Sequence, residues 1–388
     1  MLHYLNPVRT ILFIFIFLII SSNAYAFDIK AYDLYANINI SSMYDDNITL
    51  DAAENTIYKD NLTKLGLELG FRYEGKNRTL TVSGNIWQSL YSKYDAFNDL
   101  TGDITLDFTN HFTEYDWIRV KNAYFNKFVA DTFVDAFGQP QGRNKYYSND
   151  FNLSYNKHIS SQISAIATYQ NGFWKNIDSG DSGIISSNTD RVSVAADYMH
   201  SAATTYTSYY EFSKTAYEGT DTEISGHIIG VGVKQHITKQ LFFHGLGGAN
   251  FTDKVIKGKE VSGLGGYMKV MATNEFKNTF LQVSIEKRKQ ANTSREELFD
   301  FWESRIAITR QISANLSSSL LGFYGHGRFE SSDISEDLLG TDINLTYIFS
   351  KNIKGIMSYA HSEKETTESG QSLVYTKNTI LAGLTVGF

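Results

Sequence analysis

The chain has 388 residues, of which 42% are hydrophobic and 20% are charged, and its net charge at pH 7 is −7. This mildly acidic balance argues against a nucleic-acid-binding protein. Because the chain contains no cysteine, its fold does not depend on disulfide bonds. Tyr (25) and Phe (26) far outnumber Trp (4), an aromatic excess that is typical of strands and of membrane barrels.

The first segment, residues 1–26, has the features of a cleaved signal peptide. Arg9 precedes the apolar run Ile11–Ile20, and a small-residue A-x-A cleavage site ends at Ala26. A permanent transmembrane helix needs about 20 apolar residues, which is more than this run contains. We therefore expect export and cleavage, which would leave residues 27–388 as one domain; an uncleaved anchor is the alternative.

Apolar and polar residues alternate along most of the remaining chain. In residues 61–73, every second position from Leu65 to Phe71 is apolar, and polar residues or glycines stand between them. Side chains of a strand point alternately to the two faces of its sheet. Because no helical pattern longer than about two turns interrupts this alternation, the sequence predicts an all-β protein.

The segments that alternate number about 18, with about 16 as the alternative count. The last of them span 338–349, 353–363 and 376–388. Short connections alternate with longer ones, and the longer ones are 48–60, 129–145, 177–187, 329–337 and 364–375. Short periplasmic turns and long external loops are typical of transmembrane barrels. We therefore predict an antiparallel up-and-down β-barrel in the outer membrane of a Gram-negative cell, with 48–60 outside the cell.

The last strand has an apolar face, formed by Ile380, Ala382, Leu384 and Val386, and the chain ends at Phe388. This strand resembles the closing strand of bacterial outer-membrane barrels, which pairs with the first strand and is recognised by the insertion machinery. The resemblance implies three partners, which are the insertion machinery, outer-membrane lipid and lipopolysaccharide. For this segment alone, an edge strand of a soluble sandwich is the alternative.

Charged residues of both signs lie on the polar face of the predicted strands. Inside a barrel, such residues indicate enclosed water or ladders of paired charges. A barrel of about 16–18 strands is wide enough for an aqueous channel. We predict that the lining of a pore includes Lys64, Glu68, Arg72, Asp103, Asp107, Arg119, Lys121, Arg191, Glu286, Arg288 and Arg305. A lumen filled by cross-strand pairs of these residues is the alternative.

The connection 129–145 joins the fifth and sixth predicted strands. Diffusion porins fold a long early loop into the channel as a constriction. If this loop does the same, then its charged residues Asp131, Asp135 and Arg143 would select among solutes.

No arrangement of residues indicates catalysis, a cofactor or a metal site. Asp45, Asp46 and Asn47 are the densest group of potential Ca²⁺ ligands, but that ion takes about 6–8 oxygens. A solvated strand end explains these three residues. His361 and Ser362 are of the types used by outer-membrane phospholipases, but adjacent residues of a strand point to opposite faces.

Two features resemble the β-barrel porin 2 family of Gram-negative outer membranes. Tyr44, Asp45 and Asn47 match that family's Tyr-Asp-x-Asn signature after the first strand. The second feature is a hairpin unit repeated at the short turns, such as Val233–Thr238, together with the terminal strand. Relatives of this kind accompany clusters for exopolysaccharide synthesis and export, and the resemblance brings no catalytic motif.

The expected function is a passive pore for small polar or sugar-like solutes, without a cofactor and without enzymatic activity. The alternatives are a barrel component of exopolysaccharide export and a structural surface barrel with a filled lumen.

Overall fold

The computed structural model describes residues 32–52, 57–128, 137–138, 143–177, 185–256 and 259–388. The predicted signal peptide lies outside these residues. The described part of the chain forms eighteen strands, which are β1 (Tyr32–Asp45), β2 (Asp60–Glu74), β3 (Arg78–Tyr91), β4 (Asp99–His111), β5 (Trp117–Phe128), β6 (Lys145–His158), β7 (Ile163–Asn176), β8 (Ser187–Met199), β9 (Thr204–Tyr217), β10 (Glu223–His236), β11 (Leu241–Ile256), β12 (Lys259–Phe276), β13 (Thr279–Ala291), β14 (Leu298–Gln311), β15 (Leu316–Phe329), β16 (Ile334–Ser350), β17 (Ile353–Glu368) and β18 (Gln371–Gly387).

Each strand pairs antiparallel with its neighbours in sequence, and β1 also pairs with β18. The closing register runs from Asn37 opposite Gly387 to Asp45 opposite Thr379. The strands therefore form a closed up-and-down barrel, as predicted. The predicted count of eighteen is confirmed for the described residues.

The exterior of the barrel is apolar. On β2, Leu65, Leu67 and Leu69 expose 42%, 43% and 56% of their surface, and Lys64 and Glu68 lie on the opposite face of that strand. A band of exposed aliphatic side chains would be costly in water but is stable in hydrocarbon. A closed barrel satisfies all its backbone hydrogen bonds internally, as a bilayer requires. This is the architecture of Gram-negative outer-membrane proteins, which confirms the predicted location.

The barrel has two ends, a turn end with short connections between strands and a loop end with longer ones. The turn end carries the short connections that the sequence predicted, such as 75–77 and 351–352. At the loop end, the predicted loops 329–337 and 364–375 are wrong in extent, because β16, β17 and β18 continue into them. Their polar residues still pair in register, since a strand beyond the membrane can carry polar side chains on both faces.

A hydrogen-bonded unit recurs on the outer face of β7, β15 and β17 towards the loop end. In each case a tyrosine and the residue two positions later contact one Asp or Asn of the next strand. The groups are Tyr169 and Asn171 with Asp190, Tyr324 and His326 with Asp337, and Tyr359 and His361 with Asn378. These contacts satisfy the polar atoms of side chains that lie where an aromatic girdle meets water.

The unit on β17 also separates His361 from Ser362. His361 faces outward to Asn378, with its Nδ1 2.9 Å from the amide oxygen. Ser362 is buried on the other face. The two side chains therefore do not form a catalytic pair.

The seam between β1 and β18 is closed at the loop end by Asp45, Asp46 and Asn47. Asp46 accepts hydrogen bonds from the backbone N–H (2.6 Å) and the side-chain amide (2.8 Å) of Asn378. Asp45 forms an ion pair of 2.8 Å with Lys377. Asp45 and Asn47 are buried, so the expectation of a solvated strand end is wrong. These residues instead hold the first strand to the last.

Asp46→Ala should weaken this closure, because it removes two hydrogen bonds to a charged acceptor. We expect a loss of roughly 2–3 kcal/mol in the free energy of unfolding. Urea unfolding of the refolded protein in lipid vesicles, followed by tryptophan fluorescence, measures this loss. Asp221→Ala, in the exposed turn before β10, is the matched control. Equal unfolding midpoints for the two variants would contradict the assignment.

Asp116 organises the short turn between β4 and β5. Its carboxylate accepts hydrogen bonds from the Lys157 ammonium (2.5 Å) and from the backbone N–H of His158 (2.8 Å). The hydrogen bond from Lys157, followed by the one from the His158 N–H, lowers the pKa of Asp116. Both donors favour the charged carboxylate, so the turn is tied to β6 most strongly when Asp116 is ionised.

The contribution of Asp116 to stability should depend on pH in one direction. Because its pKa is lower in the folded state, the stabilisation is complete above the unfolded value of about 4. It is lost as the pH falls through the folded-state pKa. Asp116→Asn should therefore be less stable than the wild type at pH 7, and the difference should shrink in acid. Urea unfolding at a series of pH values tests this, and a difference that stays constant with pH would refute it.

Candidate functional site

The predicted pore-lining residues lie on the strand faces opposite the exposed apolar side chains. Towards the turn end, Asp107 on β4 accepts hydrogen bonds from Arg119 on β5 (2.9 Å to Nε and 2.5 Å to Nη2). Lys121 lies 3.8 Å from the same carboxylate. These side chains expose between 37% and 48% of their surface, although they face inward. This part of the lumen therefore accommodates water.

Other predicted lining residues have partners close by. Glu68 accepts a hydrogen bond from Asn37, and Asp103 accepts one from Asn85, each at 2.9 Å. Arg305 forms an ion pair of 3.0 Å with Glu303. Lys64 and Arg72 lie on the same inward face of β2 as Glu68.

A denser charge cluster connects β8 and β9 with β13. Glu211 lies 3.2 Å from Arg191 and 2.9 Å from Arg288. Glu286 lies 3.6 Å from Arg288 and 3.0 Å from Lys269. Glu211 and Arg288 are largely buried. Glu211 and Lys269 are not among the predicted lining residues, although both lie on the polar face of their strands.

Arg288 reaches Glu211 across the glycine-rich strands β10–β12. Close approach of these strands requires glycine at Gly248, where a Cβ would lie 2.0 Å from the carbonyl oxygen of Ile229. Ile228, Leu246 and Tyr267 form a small apolar cluster on the inner face of these strands. This sector of the lumen is therefore packed, in contrast to the half-exposed charges around Asp107.

The predicted constriction loop lies partly outside the described residues. Asp131 and Asp135 fall there, while Arg143 is described. The Arg143 guanidinium donates a hydrogen bond to the carbonyl oxygen of Phe97 (3.2 Å) and lies 3.7 Å from the centre of the Phe128 ring. Arg143 is therefore held beside the end of β5 and the connection that precedes β4.

Phe137, in the same loop, contacts the opposite wall of the barrel. Its ring centre lies 5.3, 5.7 and 5.6 Å from those of Phe299, Phe301 and Phe323. Strands β14 and β15, which carry these three rings, are about half of the circle away from β5 and β6. Phe137 and Gly138 therefore lie across the lumen from the strands that this connection joins.

Gly138 is held to this opposite wall by hydrogen bonds. Its N–H donates to the Glu336 carboxylate (2.9 Å), and its carbonyl oxygen accepts from the Asn292 side chain (2.6 Å). Its φ of +74° favours glycine over any residue with a Cβ. Glu336 also forms an ion pair of 3.0 Å with Lys364, and both side chains are only 1% exposed. A buried ion pair on β16 and β17 thus holds the loop in place.

The connection after β1 also enters the lumen. Leu50 belongs to one buried cluster whose other members come from both sides of the barrel: Tyr146, Trp174, Phe323, Leu338 and Tyr375. This contact is not among the predictions, which place 48–60 outside the cell. The available signal was the two apolar residues Ile48 and Leu50 at the start of the connection.

A cavity of about 530 Å³ lies beside these loops, against the inner face of β5–β9. Half of its lining residues are Ser, Thr, Asn or Gln, and Tyr146 and Trp174 bound it towards the loop end. A cavity of this size is within the range of small-molecule binding sites. Within the described part of the chain, no group of three or more His, Asp or Glu side chains is placed to hold a metal ion. No helix among those residues has the length and apolarity needed to cross a membrane.

No protein-family model matches the chain, and no curated protein matches it. The similarity to the β-barrel porin 2 family therefore remains an expectation. Among solved structures, OpdO from Pseudomonas aeruginosa is 10% identical with a TM-score of 0.48, and the match covers 92% of this chain and 98% of that one. OccAB3 from Acinetobacter baumannii is 11% identical with a TM-score of 0.45, and the match covers 92% of this chain and 100% of that one. The FrpB iron transporter from Neisseria meningitidis is 8% identical with a TM-score of 0.45, and the match covers 93% of this chain and 82% of that one.

Removal of one partner of the buried Glu336–Lys364 pair should lower the free energy of unfolding strongly. Replacement of both partners by apolar residues should lower it much less. Glu336→Leu removes the carboxylate from a buried ammonium group, for which we expect a loss of roughly 3–5 kcal/mol. Glu336→Leu combined with Lys364→Met should lose markedly less, because no buried charge is then left without its partner.

The exposed pair Arg328–Asp333, with 67% and 77% of the side chains exposed, is the control. Arg328→Ala should cost less than about 1 kcal/mol. Urea unfolding of these three variants and of Lys364→Met alone, all in vesicles, measures these losses, and additive losses for the Glu336 and Lys364 changes would contradict the coupling.

Proposed function

We propose that this protein is an outer-membrane channel for small polar or sugar-like solutes that is narrowed by its own loops. The lumen carries charges of both signs, and the side chains near Asp107 are half exposed although they face inward. Water that reaches inward-facing charges favours a conducting interior over a solid core. The proposed activity requires no cofactor and breaks no bond.

The contact between Phe137 and the opposite wall is the observation that carries this proposal. Phe137 and Gly138, held against the wall opposite β5 and β6, reduce the width of the passage. Leu50, in the connection after β1, packs inside the lumen beside them. Two such segments inside the lumen favour small solutes over a polymer chain, which would need a wide continuous lumen.

Selection among solutes would depend on size and hydrogen bonding more than on net charge. Most of the predicted lining charges have an opposite charge nearby, as Asp107 has Arg119 and Arg288 has Glu211. Paired charges produce a weaker net field along the lumen than charges of one sign would.

Removal of the Phe137 ring should widen the passage. We expect Phe137→Ala to raise the single-channel conductance in planar bilayers, because the loop loses its three ring contacts with the opposite wall. Phe349→Ala is the matched control, since that ring is 60% exposed. Its conductance should equal that of the wild type.

Two other outcomes would count against the proposal. An unchanged conductance in Phe137→Ala would show that the contact of Phe137 with the opposite wall does not limit flow. A folded wild type and a folded Phe137→Ala that both fail to conduct would favour a structural barrel with a filled lumen.

A further inference from the structure

We propose that the cavity against β5–β9 is a binding site for a neutral polyhydroxylated solute, such as a saccharide unit. This inference rests on the proposed channel function, and it names the class of solute that the lumen holds. The cavity has a volume of about 530 Å³ and lies on the inner face of the barrel. A site in the path of a solute slows that solute specifically, which is how a channel becomes selective.

A row of polar side chains crosses the wall of the cavity. Asn152 on β6 lies opposite Gln170 on β7, which lies opposite Arg191 on β8. Directly opposed side chains on antiparallel strands have Cβ atoms about 4.5–5.5 Å apart. The three groups can therefore contact adjacent hydroxyls of one ligand.

The two carboxamides keep donors available for a ligand. Gln170 accepts a hydrogen bond from Arg191 (3.4 Å) through its oxygen, and Asn152 accepts one from Ser154 (3.0 Å) through its oxygen. Among the described residues, neither side-chain NH₂ group has a hydrogen-bond partner. Each can therefore donate to a hydroxyl oxygen.

Asp150 supplies the complementary acceptor. Asp150 is the inward-facing residue that precedes Asn152 on β6. It is solvent-exposed, and no other described residue donates a hydrogen bond to it. Gly172, opposite Asp150 on β7, leaves space in front of the carboxylate, where a Cβ would lie 3.3 Å from its oxygen. A carboxylate beside two carboxamides matches a diol, whose hydroxyls both donate and accept.

Aromatic rings bound the cavity towards the loop end. The Tyr146 and Trp174 rings lie 5.3 Å apart with an interplanar angle of 32°, and Phe125 lines the wall beside them. An aromatic edge with polar groups around it suits a ring that has one apolar face and a hydroxylated rim.

The charges in the cavity nearly balance, which favours a neutral ligand. Asp150 and Lys127 are of opposite sign, and Arg191 has Glu211 at 3.2 Å. Lys127 lies over the rings of Phe125 (5.3 Å) and Tyr146 (5.9 Å). Neutral hydrogen-bonding groups make up most of the remaining lining: Ser148, Ser187, Thr189, Ser213, Thr215 and Gln290.

The test is a titration of the folded protein in detergent micelles with maltotriose, followed by tryptophan fluorescence, because Trp174 lines the site. We expect saturable binding in the wild type. Asn152→Ala combined with Gln170→Ala should weaken it by at least about tenfold, since two hydrogen bonds are lost. Gly172→Val should abolish binding by filling the space before Asp150. Glu275→Gln, at the exposed turn end of β12, is the control and should bind as the wild type does.

The proposal is overturned if maltotriose does not bind, if the double variant binds as tightly as the wild type, or if D-glucuronate binds more tightly than maltotriose. If the double variant does not fold, Asp150→Asn replaces it, and unchanged binding by this isosteric variant overturns the proposal. Conductance separates this inference from the channel itself. Maltotriose binding without conductance would contradict only the channel function, and conductance without binding would contradict only the saccharide site.

Discussion

The structure depends on one constraint, which is that every backbone N–H and C=O within a bilayer needs a partner inside the protein. A sheet of antiparallel strands meets this constraint only when its first and last strands pair. The pairing of β1 with β18 is therefore the contact that makes the rest of the barrel possible. Asp45 ends β1 at this seam and Asp46 and Asn47 follow it, and all three bind residues of β18. The Tyr-Asp-x-Asn pattern thus has a structural role at closure.

Closure creates two surfaces with opposite requirements. The outer one must be apolar, and its polar atoms near the loop end are satisfied by the Tyr-centred units on β7, β15 and β17. The inner one is free to carry charge, and it does so in two different ways. Around Asp107 the charges are half exposed, whereas the Glu336–Lys364 pair is almost fully buried.

The buried pair explains how a loop can be held inside a wide barrel. Burial of two charges is costly unless each has good partners. Glu336 has both the Lys364 ammonium and the Gly138 N–H, so the backbone of the loop completes the site. The same contact that lowers the cost of the buried carboxylate also positions Phe137 against β14 and β15. The loop and the wall therefore stabilise each other.

The sequence by itself determined the strands, their number and the faces of their side chains. Alternation with a period of two is a local property, and it placed Lys64, Glu68 and Asp107 on the inner face without knowledge of the fold. The boundaries of β16–β18 were less certain, because polar strands beyond the membrane lose the apolar alternation. Only the tertiary structure decided what fills the lumen. Phe137 contacts Phe299, and Gly138 donates a hydrogen bond to Glu336. These residues are far apart in the sequence, so no local pattern indicates their contacts. These contacts arise because closure brings opposite walls within reach of one loop.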